Sequence, residues 1–485
     1  MSSNVRTRFA PSPTGFLHVG GMRTALFAWL VARQGKGQFI LRIEDTDQKR
    51  KVEGAEEHII KCLGWLDLVP DEGLKNPIRQ SERVKDGVYQ KWADKLIESG
   101  RAYADPYSPD EVQKFREQAQ ADKKPFLYRN HRPENPPQWK PGLPLRFKSE
   151  PKDYVTHDEV MGDIKTGPEV VDDFILIKAD GFPTYNFAHI VDDSEMEISH
   201  VIRGQEFIAS LPNYRNLYEA LDIEPPIFAT VPHIMNEQGN KKLSKRDGAK
   251  DILDYRNEGY LPETMISFLA TLGWNDGTEQ ETFTIDELID KFSLARVQKS
   301  GARFDERRLI WLNGAHIRQL KLDDLYTYVS PHNDDFIHGA GYWPEAAYKS
   351  KYDQAYRKKV LNLVQERLKF FAELPELTGF FFEDLPVNPE LISTHKQLKK
   401  YDKSELKKYL EKAKASFEGS DFSEADLTDR LNSLLEETGE KPIVLFSLIR
   451  IATTQASSSP GLSQTMAVLG KEKCISRINA QISAL

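Results

Sequence analysis

Hydrophobic residues near the N-terminus predict a strand, a helix and a second strand in close succession. The apolar segments Val5–Phe9 and Phe39–Ile43 favour short buried strands. Between them, over Met22–Arg33, apolar residues recur at the i, i+3, i+4, i+7 spacing of one helix face. This order predicts a βαβ unit with a right-handed crossover. Ligands of such sheets collect beyond the carboxyl ends of the strands, so we expect a site where the loop after the first strand meets Glu44.

Later segments predict more of the same sheet and then a change to helices. A second α/β stretch contains the apolar segments Phe174–Ile177 and Val201–Ile202, which we expect to complete the sheet. Residues 101–168, between the two stretches, are rich in Lys, Arg, Pro and Gln, which suits an inserted domain with little core of its own. Beyond about residue 240 the pattern is mainly helical. The clearest helical stretches are Pro262–Leu272, Ile285–Phe292, Val360–Leu374 and Glu405–Lys414.

Composition indicates a large, globular chain of several domains. The chain has 485 residues, 39% hydrophobic and 29% charged, which exceeds the size of one ordinary core. A net charge of −8 gives no global attraction to nucleic acid, so contacts with RNA would require local basic patches. Only two cysteines, Cys62 and Cys474, are present, which excludes a disulfide framework or a structural zinc site built on several thiolates. Without an apolar leader or a long apolar run, we expect a cytoplasmic protein.

The first candidate motif is a glycine-rich turn that brings a histidine to the start of the predicted helix. Ala10-Pro-Ser-Pro-Thr-Gly-Phe-Leu-His18-Val-Gly20-Gly21 places His18 where helix N–H groups lack partners and carry partial positive charge, which suits a polyphosphate. Glycine at positions 20 and 21 lets a nucleotide approach the backbone. An ordinary capped turn with an incidental histidine is the alternative interpretation.

The second candidate motif is the basic segment Lys241-Lys242-Leu243-Ser244-Lys245-Arg246. Four cations in six residues repel one another unless they are solvated or matched to anions. One interpretation is therefore a solvated loop. The other is a phosphate clamp, in which ammonium groups neutralise the charge that builds on a leaving pyrophosphate.

Together, in this order, the two motifs resemble the HIGH and KMSKS signatures of class I aminoacyl-tRNA synthetases. The segments Arg8-Phe-Ala-Pro-Ser-Pro-Thr-Gly15, Arg42-Ile-Glu-Asp-Thr-Asp47, Gly181-Phe-Pro-Thr-Tyr-Asn186, Val191-Asp-Asp193, Phe304-Asp305 and Trp311-Leu-Asn-Gly314 look like the bacterial-type glutamyl-tRNA synthetases. The resemblance implies an α/β Rossmann-type catalytic domain with an inserted α/β acceptor-binding domain, followed by all-α stem-contact and anticodon-binding domains. We expect the catalytic domain at 1–100 and 190–238, the insertion at 101–189, the stem-contact domain at 239–320, and anticodon-binding domains at 321–385 and 386–485.

The resemblance also implies an activity and a set of site residues. The activity is ATP-dependent attachment of L-glutamate to tRNA(Glu) through a glutamyl-adenylate, with release of AMP and diphosphate. The family's amino-acid pocket maps onto Arg8, Ala10, Ser12, Glu44, Tyr185, His189 and Arg203. Its ATP site maps onto His18, Gly20, Gly21, Glu206, Lys242, Leu243, Ser244, Lys245 and Arg246, of which His18, Lys242 and Lys245 are expected to act in catalysis.

Charge chemistry supports the glutamate assignment. Glutamate carries two carboxylates and one ammonium, which arginines such as Arg8 and Arg203 and a carboxylate such as Glu44 can match. Tyr185 suits a core position equally well, His189 stands where relatives often carry an amide, and Glu206 suits either a ribose contact or a helix cap.

The expected partners are ATP with Mg²⁺, L-glutamate and tRNA, for a protein that acts as a monomer. No zinc is expected, because Ala102-Tyr-Ala-Asp-Pro-Tyr107 has no cysteine where some relatives carry a zinc cluster. The insertion interleaves basic and aromatic residues suited to RNA, but a solvated basic surface is the alternative. These residues are Arg101, Lys114, Phe115, Arg116, Lys123, Lys124, Phe126, Tyr128, Arg129, Arg132, Trp139 and Lys140.

Three other activities fit parts of this pattern. A glutaminyl-tRNA synthetase shares the ATP chemistry but binds a neutral amide. A glutamyl-queuosine tRNA ligase resembles only the catalytic half, and the long helical half argues against it. A catalytically silent tRNA-binding paralogue would be expected to lack His18 or the lysine segment, and both are present. Whether the chain also charges tRNA(Gln) depends on how the helical domains read one anticodon base.

Overall fold

The computed structural model describes residues 5–244, 250–331 and 341–485. The chain divides into two compact units. The first comprises the described residues of Met1–Tyr255 and Pro262–Glu306, and the second those of Arg256–Leu261 and Arg307–Leu485. No helix in the described ranges is both long enough and apolar enough to cross a membrane.

The first unit is organised around a seven-stranded sheet. Its strand order is β3-β2-β1-β9-β10-β6-β7, with every neighbouring pair parallel except β6 and β7. The strands in the described ranges are β1 (Arg6–Phe9), β2 (Gln38–Ile43), β3 (Ile78–Arg79), β4 (Ala102–Ala104), β5 (Leu145–Phe147), β6 (Tyr154–Asp158), β7 (Gly162–Thr166), β8 (Ile175–Ile177), β9 (His200–Gly204), β10 (Ile227–Val231), β11 (Ile234–Met235) and β12 (Ala302–Arg303).

The predicted βαβ unit is present at the centre of this sheet. β1 and β2 pair in parallel and are joined by α1 (Val19–Gln34), as the apolar pattern predicts. α1 buries Met22, Leu26 and Leu30 completely, which are positions on the predicted apolar face. From β1 the strand order runs outward to β2 and β3 on one side and to β9 and β10 on the other. The carboxyl ends of β1 and β9 therefore flank the switch point where ligands of such sheets bind.

The prediction for Phe174–Ile177 is wrong. β8 does not join the main sheet but forms a separate antiparallel sheet in the order β4-β5-β8. Buried charges fix this pairing: Arg146 on β5 binds Asp105 at 2.7 Å, and Asp173, just before β8, accepts from Tyr103 on β4 at 2.9 Å. Apolar periodicity identifies a buried strand but does not identify its neighbours.

β6 and β7 lie within the predicted insertion, yet they extend the main sheet. Asp158 at the end of β6 is fully buried, and its Oδ1 accepts from the backbone N–H groups of Val160, Met161 and Thr230. Thr230 belongs to β10, so this carboxylate binds the turn and the neighbouring strand together.

Helices make up most of the remaining described chain. After α1 they are α2 (Ala55–Trp65), α3 (Gln80–Lys85), α4 (Val88–Glu98), α5 (Pro109–Ala121), α6 (Tyr185–Glu195), α7 (Leu211–Ala220), α8 (Ile252–Glu258), α9 (Pro262–Thr271), α10 (Ile285–Lys291), α11 (Glu306–Gln319), α12 (Leu322–Val329), α13 (Gln354–Val364), α14 (Leu374–Phe382), α15 (Glu390–Ser393), α16 (Lys403–Glu418), α17 (Glu424–Thr438), α18 (Pro442–Thr454), α19 (Leu462–Leu469) and α20 (Lys471–Ala484). The helices predicted at Pro262–Leu272, Ile285–Phe292 and Glu405–Lys414 are confirmed as α9, α10 and α16.

The helix predicted over Val360–Leu374 is wrong in extent. α13 ends at Val364, and α14 starts only at Leu374 with Pro375 in its first turn, a position that favours a new helix start. Between them the chain is held by hydrogen bonds to other elements. Gln365 donates to Ile317 O at 2.9 Å, and Lys369 O accepts from Asn313 at 2.6 Å. These hydrogen bonds to other segments interrupt the helix, although the apolar pattern in the sequence is continuous.

All the secondary-structure elements in the described residues of the second unit are helices. Its core is apolar and rich in phenylalanine, including Phe371, Phe380, Phe381, Phe382 and Phe417. The prediction of all-α domains after residue 320 therefore agrees with the described residues. The prediction of an all-α stem-contact domain at 239–320 is wrong in one respect, because β12 lies within that range and pairs in parallel with β11.

Candidate active site

Three predicted site residues lie at the carboxyl ends of neighbouring strands. Arg8 and Arg203 are the penultimate residues of β1 and β9, and Glu44 follows β2 directly. The Glu44 N–H donates to Pro11 O at 3.0 Å, which joins the loop after β1 to the end of β2. The side chains of Arg8, Glu44 and Arg203 are all buried. The sheet therefore gathers two guanidinium groups and one carboxylate in a buried region, as the sequence predicts.

A buried ion network occupies part of this region. Arg8 makes a bidentate pair with Asp193, with Nε–Oδ1 and Nη2–Oδ2 distances of 3.1 and 3.2 Å. Arg42 donates to Asp193 Oδ1 at 2.8 Å and to Glu44 Oε1 at 2.9 Å. Each carboxylate in the network thus has a guanidinium partner. The remaining nitrogen of Arg8, Nη1, donates to Ile202 O at 3.3 Å.

The network shifts the acidities of its members in opposite directions. Burial by itself would raise the pKa of Asp193, but the attraction of Arg8 and Arg42 outweighs burial and lowers it well below its usual range. Burial raises the pKa of Glu44, despite the ion pair with Arg42. Asp193 is therefore charged, whereas a second cation close to Glu44 would stabilise the ionised form of that carboxylate.

Arg203 differs from the other arginines of the site. Its side chain is 4% exposed, and none of its three nitrogens has a hydrogen-bond partner among the described residues. It lies against the faces of Phe207, Tyr214 and Phe228, with ring-centroid distances of 5.5, 5.0 and 5.1 Å. Aromatic faces attract a cation but do not satisfy N–H donors. A buried guanidinium in this state has N–H donors that no described residue satisfies.

His189 and Tyr185 form an aromatic wall in the same region. Their rings stack at a centroid distance of 4.7 Å, and Tyr185 also stacks on Phe207 at 5.1 Å. The His189 Nδ1 lies 2.8 Å from Tyr185 O, so it carries the proton and leaves Nε2 as an acceptor. Burial lowers the pKa of His189 to about 3, so the imidazole is neutral at physiological pH.

The loop before α1 delivers His18 to the helix N-terminus. His18 is the N-cap residue, and its Nδ1 accepts from the Gly20 N–H at 3.1 Å. A Cβ at Gly20 would lie 3.1 Å from the His18 ring, so glycine gives the imidazole the room to lie there. In the same loop Ala10 is half-buried and Ser12 is exposed, with Ser12 O accepting from Thr14 N at 2.8 Å.

The second motif is described only in part. Lys245 and Arg246 lie outside the described residues. The Lys242 ammonium is 3.9 Å from Glu206 Oε1, and both side chains are about half exposed. The Leu243 N–H donates to Ile234 O at 2.9 Å, and Ser244 is exposed. The structure thus brings Glu206 and Lys242 together.

The sequence did not single out Arg42 and Asp193 as site residues, although both lie in the motifs Arg42-Ile-Glu-Asp-Thr-Asp47 and Val191-Asp-Asp193. The available signal was charge in otherwise apolar segments, since Arg42 interrupts the strand Phe39–Ile43. A charged residue at a buried position requires a buried partner.

Models of known families match most of the chain. The model of the catalytic domain of the class I (E and Q) tRNA synthetases matches residues 4–311, which is well over half of the chain. The chain belongs to the class I (E and Q) tRNA synthetases. In this synthetase a second family model, described as an anticodon binding domain, matches residues 325–482.

Relatives of this class I synthetase match over their full lengths. It is 40% identical over 496 residues to a glutamate–tRNA ligase of Dehalococcoides mccartyi, covering 100% of this chain and 98% of that one. It is 39% identical over 499 residues to a glutamate–tRNA ligase of Clostridium novyi, covering 100% and 99%. A crystal structure of a glutamate tRNA ligase from Elizabethkingia meningosepticum, in complex with its amino acid, matches with a TM-score of 0.83 and 30% identity over 99% of this chain and 100% of that one.

Proposed function

We propose that this synthetase attaches L-glutamate to tRNA(Glu) in an ATP-dependent reaction through a glutamyl-adenylate, releasing AMP and diphosphate. It is a glutamate–tRNA ligase in this proposal, as are the relatives that match its full length. The single observation that carries the choice of substrate is the buried guanidinium of Arg203, which lies beside a buried carboxylate network and has no hydrogen-bond partner within residues 5–244, 250–331 and 341–485.

Charge matching assigns the groups of glutamate to this pocket. Arg203 binds the side-chain carboxylate of glutamate through its N–H groups, which have no partner among the described residues. Arg8, which Asp193 holds in place, contributes the N–H of Nη1 that does not donate to Ile202 O. The ammonium of the substrate binds near Glu44, whose pKa is raised by burial, and the acceptor Nε2 of His189. Tyr185 forms a wall of the pocket, and Ala10 and Ser12 line its entrance.

Glutamine fits this arrangement less well than glutamate. Its amide carries no charge, so the Arg203 guanidinium would stay buried without a counter-ion. A site built around one polar group can reject an analogue that lacks it by ~10⁴.

Activation of glutamate would rest on positioning and on charge stabilisation. In the proposed step the glutamate α-carboxylate attacks the α-phosphorus of ATP in line, and pyrophosphate leaves. His18 and the backbone at Gly20 and Gly21 hold the phosphates at the N-terminus of α1, where the helix dipole favours anions.

The remaining predicted ATP residues are assigned to the nucleotide and the leaving group. Lys242 and Lys245 neutralise the leaving pyrophosphate, Leu243, Ser244 and Arg246 complete the clamp, and Glu206 accepts from the ribose. Mg²⁺ would enter with the ATP phosphates and add to this neutralisation.

Transfer to tRNA would use the other parts of the chain. The proposed insertion at 101–189 contacts the acceptor end, and the helical domains after residue 320 contact the anticodon. In the insertion, exposed basic side chains of α5 are the candidate RNA contacts. Arg132 and Tyr128 are instead engaged internally, with Asp173 at 2.6 Å and Asp105 at 2.6 Å. The proposed acting form is a monomer.

A charging assay tests the proposal. The full chain is incubated with ATP, Mg²⁺ and either glutamate or glutamine, together with purified tRNA(Glu) or tRNA(Gln). We expect glutamylation of tRNA(Glu), release of AMP, and at least ~10³-fold slower use of glutamine. Equal charging with both amino acids would contradict the role of Arg203, and no charging of either tRNA would contradict the enzymatic proposal. Charging of tRNA(Gln) with glutamate would show a broader tRNA specificity.

A further inference from the structure

His58 on α2 lies beneath the loop that carries His18 and is held there on several sides. Its ring is stacked on Phe16 at a centroid distance of 4.7 Å. Its Nδ1 is 3.3 Å from the backbone N–H of Leu17, and its Nε2 is 2.6 Å from Asp251 Oδ1. The imidazole is 8% exposed. Asp251 follows the basic segment Lys242–Arg246 in the chain.

Cys62 completes a group of side chains that could hold a metal ion by composition. Its sulfur is 3.5 Å from His58 Nδ1 and 3.8 Å from Nε2, with Asp251 close to both residues. The hydrogen bonds argue against a ligand role. Because the Leu17 N–H points at Nδ1, that nitrogen holds the lone pair and Nε2 holds the proton. A protonated Nε2 donates to Asp251 and does not coordinate a metal.

The hydrogen bonds form a closed ring through three segments of the chain. Leu17 N donates to His58, His58 donates to Asp251, and the next residue, Ile252, donates its N–H back to Leu17 O at 3.1 Å. His18 and Asp251 are also paired as an isolated antiparallel bridge. Both backbone polar groups of Leu17, the residue directly before His18, are therefore fixed by this ring.

Each member of the ring is itself constrained. Asp251 Oδ1 also accepts from the Leu253 N–H at 2.8 Å, which holds the carboxylate at the start of α8. The Leu17 side chain fills the space beside Gly21, where a Cβ would come within 2.6 Å of Leu17 Cδ1. A shift of Leu17 would therefore be passed to the helix N-terminus that carries His18.

We propose that His58 and Asp251 are positioning residues that lock the first signature, His18-Val-Gly20-Gly21, to the chain after the second signature, Lys242–Arg246. The pair sets the position of the His18 loop relative to Asp251, which follows the basic segment in the chain. It thereby sets the geometry of the proposed ATP site. This inference rests on the proposed ATP roles of the two signatures. Neither His58 nor Asp251 contacts the substrate in this proposal.

Amide variants of His58 test its hydrogen bonds to Leu17 and to Asp251 separately. In His58→Asn the side-chain oxygen replaces Nδ1 and keeps the acceptor for Leu17, but the donor to Asp251 is lost. In His58→Gln the amide N–H replaces Nε2 and keeps the donor to Asp251, but the acceptor for Leu17 is lost. Asp251→Ser keeps a short oxygen for the Leu253 N–H and cannot reach His58, whereas Asp251→Asn keeps an acceptor for both donors.

The measurement is ATP–pyrophosphate exchange by the full chain with tRNA(Glu) present, with KM determined separately for ATP and for glutamate. We expect His58→Asn and Asp251→Ser each to lower kcat/KM for ATP by about 10-fold, the size of one charge-assisted hydrogen bond, with KM for glutamate unchanged. Asp251→Asn should restore most of the activity. The double variant His58→Asn with Asp251→Ser should be no worse than either single variant, because both remove the same interaction.

A second histidine–aspartate pair provides the matched control. His157 and Asp163 on β6 and β7 are 2.8 Å apart, exposed and distant in sequence from both signatures. His157→Asn should leave both KM values unchanged. Additive losses in the double variant, or equal rises in both KM values together with a fall in Tm, would show a merely structural pair and overturn the proposal. Wild-type kinetics in the single variants would overturn it too.

Zinc alone tests the metal alternative in the same samples. We expect Zn²⁺ to bind no more tightly to the wild-type chain than to Cys62→Ser in calorimetric titrations. If the wild type bound Zn²⁺ stoichiometrically and both Cys62→Ser and His58→Asn lost this binding, the three side chains would form a metal site. That result would overturn the proposed positioning role of His58 and Asp251. If the charging assay itself fails, the proposed function falls, whereas selective changes in ATP kinetics test only this inference.

Discussion

Arg203 in the first unit and Arg477 in the second are both buried arginines, with 4% and 8% of their surfaces exposed, but their surroundings are opposite. Arg477 Nη1 donates to Thr453 O at 2.7 Å, and Nη2 donates to Phe380 O and Glu383 O at 2.7 and 2.8 Å. Its Nε and Nη2 also reach Asp384 Oδ1. Arg203 has no such partner among the described residues.

The contrast separates an arginine whose donors are used within the fold from one whose donors have no partner among the described residues. Arg477 satisfies carbonyls at the end of α14 and in α18, so its donors are used within the helical unit. The cost of burying Arg203 is not offset by any comparable bond within the described protein. The described contacts give the Arg203 guanidinium no comparable role in folding, whereas the proposed binding of a glutamate carboxylate would use its donors.

Replacing Arg203 should have the largest effect on activity and a small effect on stability. In Arg203→Ala we expect kcat/KM for glutamate to fall by ~10³-fold or more, because a carboxylate would be buried without its charge-assisted partner. Tm should stay the same or rise, since an uncompensated buried charge is removed. Steady-state ATP–pyrophosphate exchange and thermal unfolding measure the two quantities.

Arg203→Lys is the matched control for that change. Lysine keeps the charge but loses the two-point geometry, so we expect partial activity between that of the wild type and Arg203→Ala. Full activity in Arg203→Ala would show that Arg203 does not bind the substrate carboxylate.

Replacing Arg477 should show the reverse pattern. Arg477→Ala leaves the carbonyls of Phe380, Glu383 and Thr453 without their donor, and we expect a loss of about 3 kcal/mol in the free energy of unfolding of the helical unit. Urea unfolding of the full chain, followed by circular dichroism, measures the loss. KM for glutamate should be unchanged below the unfolding transition, and a specific rise in that KM would contradict the assignment.

Much of the fold follows from the apolar pattern, because local spacing determines element type. The elements predicted at Val5–Phe9, Met22–Arg33 and Phe39–Ile43 correspond to β1, α1 and β2 for this reason, although β1 begins at Arg6. Partners in a sheet depend on distant residues, so the same pattern misplaced Phe174–Ile177, which buried ion pairs hold in the small sheet. The break between α13 and α14 likewise depends on hydrogen bonds from other segments.

The site was predictable in composition but not in its internal pairing. The family resemblance identifies Arg8, Glu44 and Arg203, and the strand order places all three at one edge of the sheet. The sequence gives no measure of which cation is already neutralised. Only the structure shows that Asp193 occupies two nitrogens of Arg8, and that Arg203 has no hydrogen-bond partner in the part of the chain that is described.

The neutral state of His189 makes the first unit sensitive to acid. Its native pKa is lowered to about 3, below the value of about 6.5 expected for the unfolded chain. Between these values the unfolded chain binds a proton that the native protein does not, so stability is full above pH 6.5 and falls as pH decreases toward 3.

We expect this difference to cost the wild type about 1–2 kcal/mol between pH 7 and pH 5. His189→Asn removes the titrating group, so the Tm of this variant should fall less than that of the wild type between pH 7 and pH 5. Thermal unfolding of both chains at the two pH values gives the comparison. An equal fall in both would show that His189 is protonated in the native protein.

The smallest expected effect concerns the carboxylate beside Arg477. Asp384 is 74% exposed in its side chain, and its hydrogen bond from Arg477 lowers its pKa. Exposed ion pairs contribute little, so Asp384→Asn should change the free energy of unfolding by less than about 1 kcal/mol, as measured by urea unfolding at pH 7. The amide still accepts from Arg477, and the bonds to Phe380, Glu383 and Thr453 remain. A loss as large as that of Arg477→Ala would mean that the carboxylate holds Arg477 in place, and that backbone carbonyls alone do not account for a buried arginine.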